Sequence, residues 1–216
     1  MDIWSMMKNV GWFVAIVGPS GAGKDTVINV IHEVLANNED FLFTRRIITR
    51  QSGISRQNRQ DENSKKLGNE DNIEVSVAQF LKLLDQGAFS MHWFAHGIYY
   101  GLPADIENDV KQGKIVIANI SRNSLGMAKK LFDHVLVVEI NAPAQILKER
   151  LINRKRESKS DIAERLERAN VPIQLPDGAE YCYIDNSGDV KIAVGKLLVI
   201  LEKLAGQNSR MTADKH

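Results

Sequence analysis

The sequence predicts an α/β fold built on a central, mainly parallel sheet, and three observations carry that expectation. Residues 11–17 (GWFVAIV), 114–120 (KIVIANI) and 134–140 (HVLVVEI) are short, apolar and rich in β-branched residues, as strands covered on both faces require. Stretches with helical spacing lie between and after these runs, and such alternation belongs to βα architectures. A glycine-rich turn joins the first strand to the first helix.

Taken in chain order, the first strand at 11–17 is followed by residues 25–37, where Val27, Ile28, Val30, Ile31, Val34 and Leu35 fall on one helical stripe. Residues 51–72 are polar and rich in Gly, Ser, Asn and charge, and read as an excursion from the fold. A helix is expected over 103–112, then the strand at 114–120, a helix at 124–132 and the strand at 134–140. Residues 143–153 form a further helix, with Pro143 suited to a helical first turn. A short basic stretch, 153–160 (NRKRESKS), separates it from another helix at 161–169, built around Ile162 and Leu166. A short strand near 181–184 and an amphipathic helix at 191–204 complete the pattern. Residues 1–10 then form an N-terminal extension, 11–205 one domain and 206–216 a polar, frayed tail.

Composition narrows the function classes. With 28 Lys plus Arg against 27 Asp plus Glu, there is no global basic field to hold nucleic acid or an anionic membrane, so any anion site must be local. No apolar run approaches the ~20 residues that cross a bilayer, and residues 1–8 lack the layout of a secretory signal. A cytoplasmic protein that binds neither membrane nor nucleic acid is expected. Cys182 is the sole cysteine, which excludes an internal disulfide or a Cys-based zinc cluster; it reads as a small packed residue near a strand.

The chemistry is concentrated in residues 18–26, GPSGAGKDT. Gly18, Gly21 and Gly23 let consecutive backbone N–H groups converge on phosphate oxygens without a Cβ in the way, and the helix that follows adds the partial positive charge of its N-terminus. Pro19, Ser20 and Ala22 complete the turn, and Lys24 neutralises the outer phosphates of a nucleotide. In the motif the next position is Ser or Thr, whose hydroxyl meets Mg²⁺. Here it is Asp25, with Thr26 after it. Two readings stay open: Thr26 serves phosphate or metal while Asp25 acts through water or on the acceptor, or the nucleotide itself supplies most of the metal binding.

From the loop to the last strand, the sequence resembles the guanylate-kinase group of P-loop kinases. Arg50 matches the arginine that opens that group's acceptor-phosphate region, residues 88–101 its substrate strand and Tyr-Tyr-Gly turn, and residues 150–166 its arginine-bearing lid. The resemblance implies a three-layer P-loop kinase fold with a small acceptor-binding subdomain over about 45–101 and a helical lid over about 150–166. One departure stands out. Members that act on GMP read guanine with a carboxylate two residues after the Phe of the substrate strand, and here that residue is Met91. A pocket that lacks one hydrogen-bonding member discriminates strongly against the old ligand. Leu102 also replaces the usual Thr or Ser, and Asn72 stands in place of a phosphate-binding Tyr.

The chain more closely resembles the ribose 1,5-bisphosphate phosphokinases of bacterial phosphonate breakdown, small relatives of the guanylate kinases, through GPSGAGKD, residues 46–50 (RIITR), residues 92–101 (HWFAHGIYYG) and residues 118–122 (ANISR). This implies an enzyme that uses ATP and Mg²⁺ to phosphorylate the 1-phosphate of ribose 1,5-bisphosphate, giving 5-phosphoribosyl 1-diphosphate. Its partner is then a small phosphorylated sugar, with a homodimer left open. A nucleoside-monophosphate kinase and a non-catalytic guanylate-kinase-like interaction module are the alternatives. Met91 argues against the first, and the intact loop against the second.

Under this resemblance Lys24, Arg150, Arg154 and Arg165 are the catalytic cations, with Arg156 less certain. The loop residues Gly18 to Thr26 and Asn186 bind ATP, Asn186 either at the adenine edge or as a turn residue. Arg46, Arg50, Tyr100, His92, Asn119 and Arg122 form the acceptor set. Arg45 is a bystander, and His92 and His96 are equally readable as packed or surface histidines. Phe89, Trp93 and Phe94 are expected in the core rather than as a stacking platform.

Overall fold

The computed structural model describes residues 11–49, 72–95, 97–153 and 159–213. Five parallel strands form the main sheet in the order β2 (Phe41–Phe43), β7 (Ile115–Asn119), β1 (Trp12–Val17), β8 (Val135–Asn141) and β9 (Glu180–Asp185). The period-two geometry of β1 decides how the layers assemble. Trp12, Val14 and Ile16 face one side, where they pack with Val27, Ile31 and Leu35 of α1 (Lys24–Leu35) and with Ala193, Leu197 and Leu201 of α7 (Val190–Ala213). Phe13, Ala15 and Val17 face the other, against Ile106 and Val110 of α3 (Ile106–Lys111) and Leu125 and Ala128 of α4 (Leu125–Leu131). Helix, sheet and helix make three layers, and the continuous apolar character of β1 follows from being covered twice.

A second sheet, ordered β4 (Ile73–Val75), β3 (Ile47–Thr49), β6 (Ile98–Pro103) and β5 (Phe89–Ala95), carries the β5–β6 antiparallel hairpin and stands beside the main one. Met91 and Leu102 join it to the α3 and α4 side of the core, where both are 0% exposed. Helix α2 (Val77–Asp85) precedes β5 and begins in a capping box: Ser76 Oγ accepts from Gln79 N, and Gln79 Oε1 accepts from Ser76 N. Helices α5 (Ala144–Asn153) and α6 (Lys159–Ala169) form a pair over the loop.

Two expectations about element boundaries change. The helix expected over 103–112 begins only at Ile106, because β6 runs through Pro103. The helix expected at 124–132 is α4 with its caps Ser124 and Phe132, preceded by a 3₁₀ turn, Arg122–Ser124, that the Ser121 hydroxyl caps. The backbone of α7 continues to Ala213, past the expected boundary at Gly206. Cys182 is half-buried on the edge strand, and burial pushes its thiol upward.

Candidate functional site

Strand β1 delivers the chain into the loop at Gly18, whose φ of 145° leaves the backbone against β8: a Cβ there would lie 2.0 Å from the Ile140 carbonyl oxygen. Gly23, at φ 83°, is the N-cap of α1, and a Cβ on it would lie 2.5 Å from Asn186 Nδ2. The glycines are therefore demanded by the packing of the protein as well as by phosphate. Asn186 braces the turn. Its Nδ2 donates to Ala22 O at 2.7 Å and its own N–H donates to Asn141 O at 2.8 Å, so the loop is tied to the end of β8. The Lys24 ammonium donates to the carbonyls of Gly18 and Pro19 at 2.9 and 3.0 Å, which holds it at the mouth of the loop.

Two cavities share this loop. A recess of about 380 Å³ is lined by Gly21, Gly23, Thr26, Arg150, Asn153, Asn186 and Val190. Asn186, 3% exposed, has an Oδ1 without a hydrogen-bond partner among the described residues. Such a buried acceptor suits a ligand that brings an N–H. Arg150 Nη1 donates to Gly21 O at 3.4 Å from the rim.

On the other side, a cleft of about 1280 Å³ runs from the loop between the second sheet and the end of α6. Lys24, Asp25, Arg46, Arg165 and Arg168 line it, as do Asn119, Tyr100 and Trp93. Arg165 Nη1 donates to Ser20 Oγ at 2.8 Å, so a cation from α6 already touches the loop. Asn119 Nδ2 donates to Asp25 Oδ1 at 3.1 Å.

The acceptor side is layered. Arg46 lies with Cζ 5.3 Å from the Tyr100 ring centroid, and Trp93 stacks on Tyr100 at 5.4 Å with 5° between the planes. Arg46 Nε donates to Asn72 Oδ1 at 3.3 Å. Burial pulls its guanidinium below the usual arginine range, while the negative charge of Asp25 and the Tyr100 side chain oppose the shift. Arginine stays cationic through such a change, so the cleft keeps a fixed positive charge facing Asp25.

Among the predicted residues, the loop, Lys24, Asp25, Arg165, Arg46, Tyr100, Asn119 and Arg122 meet in or at the cleft, whereas Thr26, Arg150 and Asn186 lie in the recess. Arg122 is committed to structure as well: Nη1 donates to Val171 O at 2.7 Å and Arg168 O at 3.5 Å. His92 is exposed on β5 and does not line either cavity. Arg45 is exposed. Arg50, His96, Arg154 and Arg156 lie outside the described residues.

The expectation that Trp93 and Phe94 belong to the core is corrected. Trp93 packs against the core with one part and lines the cleft with another, and Phe94 is 60% exposed at its edge. Phe89 is packed inward, stacked on Phe80 at 4.6 Å. Residues 171–176 (VPIQLP) form a cleft wall that sequence reasoning missed, although two prolines around an apolar stretch mark a stiff connection.

Comparison with known proteins follows the same outline. The sequence matches the guanylate kinase family over residues 12–204. It is 38% identical to the ribose 1,5-bisphosphate phosphokinase PhnN of Brucella abortus, over 90% of this chain and 94% of that protein. It is 36% identical to the protein of the same name from Rhizobium etli, over 91% and 92%. The crystal structure of guanylate kinase from Anaplasma phagocytophilum superposes with a TM-score of 0.57 at 22% identity, covering 92% of this chain and 88% of that one, a likeness of fold.

Proposed function

Since the chain belongs to the guanylate kinase family, we propose that it transfers the terminal phosphoryl group of ATP to the 1-phosphate of ribose 1,5-bisphosphate, giving 5-phosphoribosyl 1-diphosphate and ADP. The observation that carries the choice of acceptor is Met91. The position where a guanine-reading carboxylate would stand in the substrate strand is occupied by a thioether packed at 0% exposure beneath the cleft. The relatives that match about nine-tenths of this chain support the same acceptor by name.

The chemistry needs no base. A phosphate oxygen of the acceptor is already ionised near neutral pH. It attacks the γ-phosphorus of ATP, the bond from that phosphorus to the β,γ-bridging oxygen breaks, and the electron pair leaves with ADP. The obstacle is the approach of two polyanions, so this chain contributes position and positive charge. In this reading the loop amides and Lys24 hold the triphosphate, Arg150 reaches it from the recess side, and Arg165 sits where donor and acceptor phosphates meet. Arg46, with Tyr100, receives the acceptor phosphate. Asn186, which lines the recess, is the candidate contact for the adenine edge.

Mg²⁺ belongs to the same proposal. Among the described residues no group of three or more His, Cys, Asp or Glu is gathered for a metal. That fits an ion that keeps its waters and is held by one carboxylate plus substrate phosphates. Asp25 is the carboxylate at the cleft beside Lys24, whereas Thr26 lies in the recess. When bound, Mg²⁺ would neutralise charge on the phosphate oxygens. A cytoplasmic location accompanies the use of ATP, and among the described residues no helix is long and apolar enough to cross a membrane.

The test is product analysis with ATP and Mg²⁺ against ribose 1,5-bisphosphate, ribose 5-phosphate and the common nucleoside monophosphates. The expected product is 5-phosphoribosyl 1-diphosphate, from the bisphosphate alone. Faster turnover of a nucleoside monophosphate would assign the chain to that activity instead, and ATP left unconsumed with every acceptor would make it an interaction module.

A further inference from the structure

We propose that the metal-ordering carboxylate of this site has moved from a strand end to the phosphate loop, so that Asp25 supplies it and Asn119 positions it. The inference rests on the kinase reading above and names which residues of this chain face a divalent cation that arrives with the nucleotide. P-loop enzymes commonly divide the task between a Ser or Thr hydroxyl directly after the loop lysine and an Asp at the end of a neighbouring strand. In this chain the chemistry of the two positions is exchanged. Asp25 directly follows Lys24, and Asn119 is the last residue of β7, which pairs with β1.

Their contact makes the exchange a unit. Asn119 Nδ2 donates to Asp25 Oδ1 at 3.1 Å, between residues far apart in sequence. A hydrogen bond to a carboxylate is charge-assisted and fixes the direction in which the group points. It also explains the amide. A carboxylate at position 119 as well would set two negative charges about as far apart as those two atoms, and one would have to give up its charge or bind a counter-ion. With one Asp and one Asn the pair carries a single negative charge, as the usual hydroxyl and carboxylate do. Thr26 does not substitute for either member, because it lines the recess with Asn186 and Val190. Arg46 draws on the charge of Asp25 from the acceptor side, which makes a purely acceptor-holding role for Asp25 the competing account.

The experiment measures ADP affinity by calorimetry with and without Mg²⁺, together with the electron paramagnetic resonance of Mn²⁺ added with ADP. The proteins are the unaltered chain, D25N, D25S, N119A and the double exchange D25S/N119D. Binding of ADP without metal should survive in all of them, which also verifies folding. The tightening that Mg²⁺ brings should be lost in D25N and D25S, and N119A should weaken metal binding by about 10- to 100-fold, as loss of a positioning partner does. D25S/N119D should bind metal better than D25S. Full Mg²⁺-linked tightening in D25N overturns the proposal, as does a double exchange no better than D25S. If the unaltered chain fails to bind ADP at all, the kinase reading itself falls, a result distinct from these.

Discussion

On one side of the phosphate loop, the recess is walled by two glycines, Thr26 and Val190, with Arg150 and Asn153 from α5 and the buried amide of Asn186 tied to Ala22 and β8. On the other side, the cleft is walled by long side chains: Lys24, Arg46 and Arg165, with Trp93 and Tyr100 stacked below. The recess is small and carries one cation, Arg150; the cleft is over three times larger and gathers several. A nucleotide base is planar and uncharged, so a site for it can be made of short, rigid parts. Two phosphorylated reactants require cations that reach in from several elements. In the proposed function the same loop serves both, because its glycines bring backbone to both faces.

The cleft is broken most severely from below. Met91→Glu should cost roughly 3–5 kcal/mol of stability, since the carboxylate would be buried among apolar partners without a counter-charge. A fall in Tm without useful GMP activity is the expected result, and a stable variant that phosphorylates GMP would show that the base pocket persists. Lys24→Ala should lower kcat by about 10²- to 10³-fold, the scale for removing one preorganised charge stabiliser. Its thermal transition should stay in place, because the ammonium sits at the mouth of the loop, where it donates to the carbonyls of Gly18 and Pro19.

Asn186→Ala sharpens the contrast. It deletes the bond to Ala22 and should cost about 1–3 kcal/mol in ATP binding, read as a raised KM for ATP with the KM for the sugar phosphate unchanged. A shift confined to the sugar phosphate would contradict the division between the cavities. The smallest effect lies behind the recess, where Tyr181 donates to Glu139 at 2.7 Å and Glu139 accepts from Asn141, the residue whose carbonyl holds Asn186. Burial and the Glu139 hydrogen bond push the Tyr181 phenol from 10.0 to about 12. Its folded value is the raised one. The contribution is therefore complete below the unfolded value and is lost as pH climbs through the folded one. Tyr181→Phe should cost at most about 1 kcal/mol near neutral pH. In alkaline denaturation, the unaltered chain should lose that advantage over the variant across the same interval.

Legibility in the sequence followed the same division. The β1 to α1 unit was readable because three glycines, a lysine and an apolar strand occupy adjacent positions, where period and spacing carry the information. Strands β2, β3 and β4 were not assigned, since three-residue strands such as Ile47–Thr49 are too short to display a period. Helix α2 left a usable signal in Ser76 and Gln79, three apart, that was passed over. Trp93 both packs against the core and lines the cleft, a double role that residue type alone does not reveal.

By itself, the sequence determined the parallel sheet, the loop with its ammonium group and the loss of the guanine-reading carboxylate, because each is written in neighbouring residues or at a single matched position. Only the tertiary structure decided that Thr26 and Asp25, adjacent in the chain, face different cavities, that Asn119 belongs to Asp25, and that Arg122 holds the wall at Val171. Successive residues at a helix start point about 100° apart. Which of them meets a strand end or a distant loop depends on how the layers are stacked, and local spacing does not contain that distance.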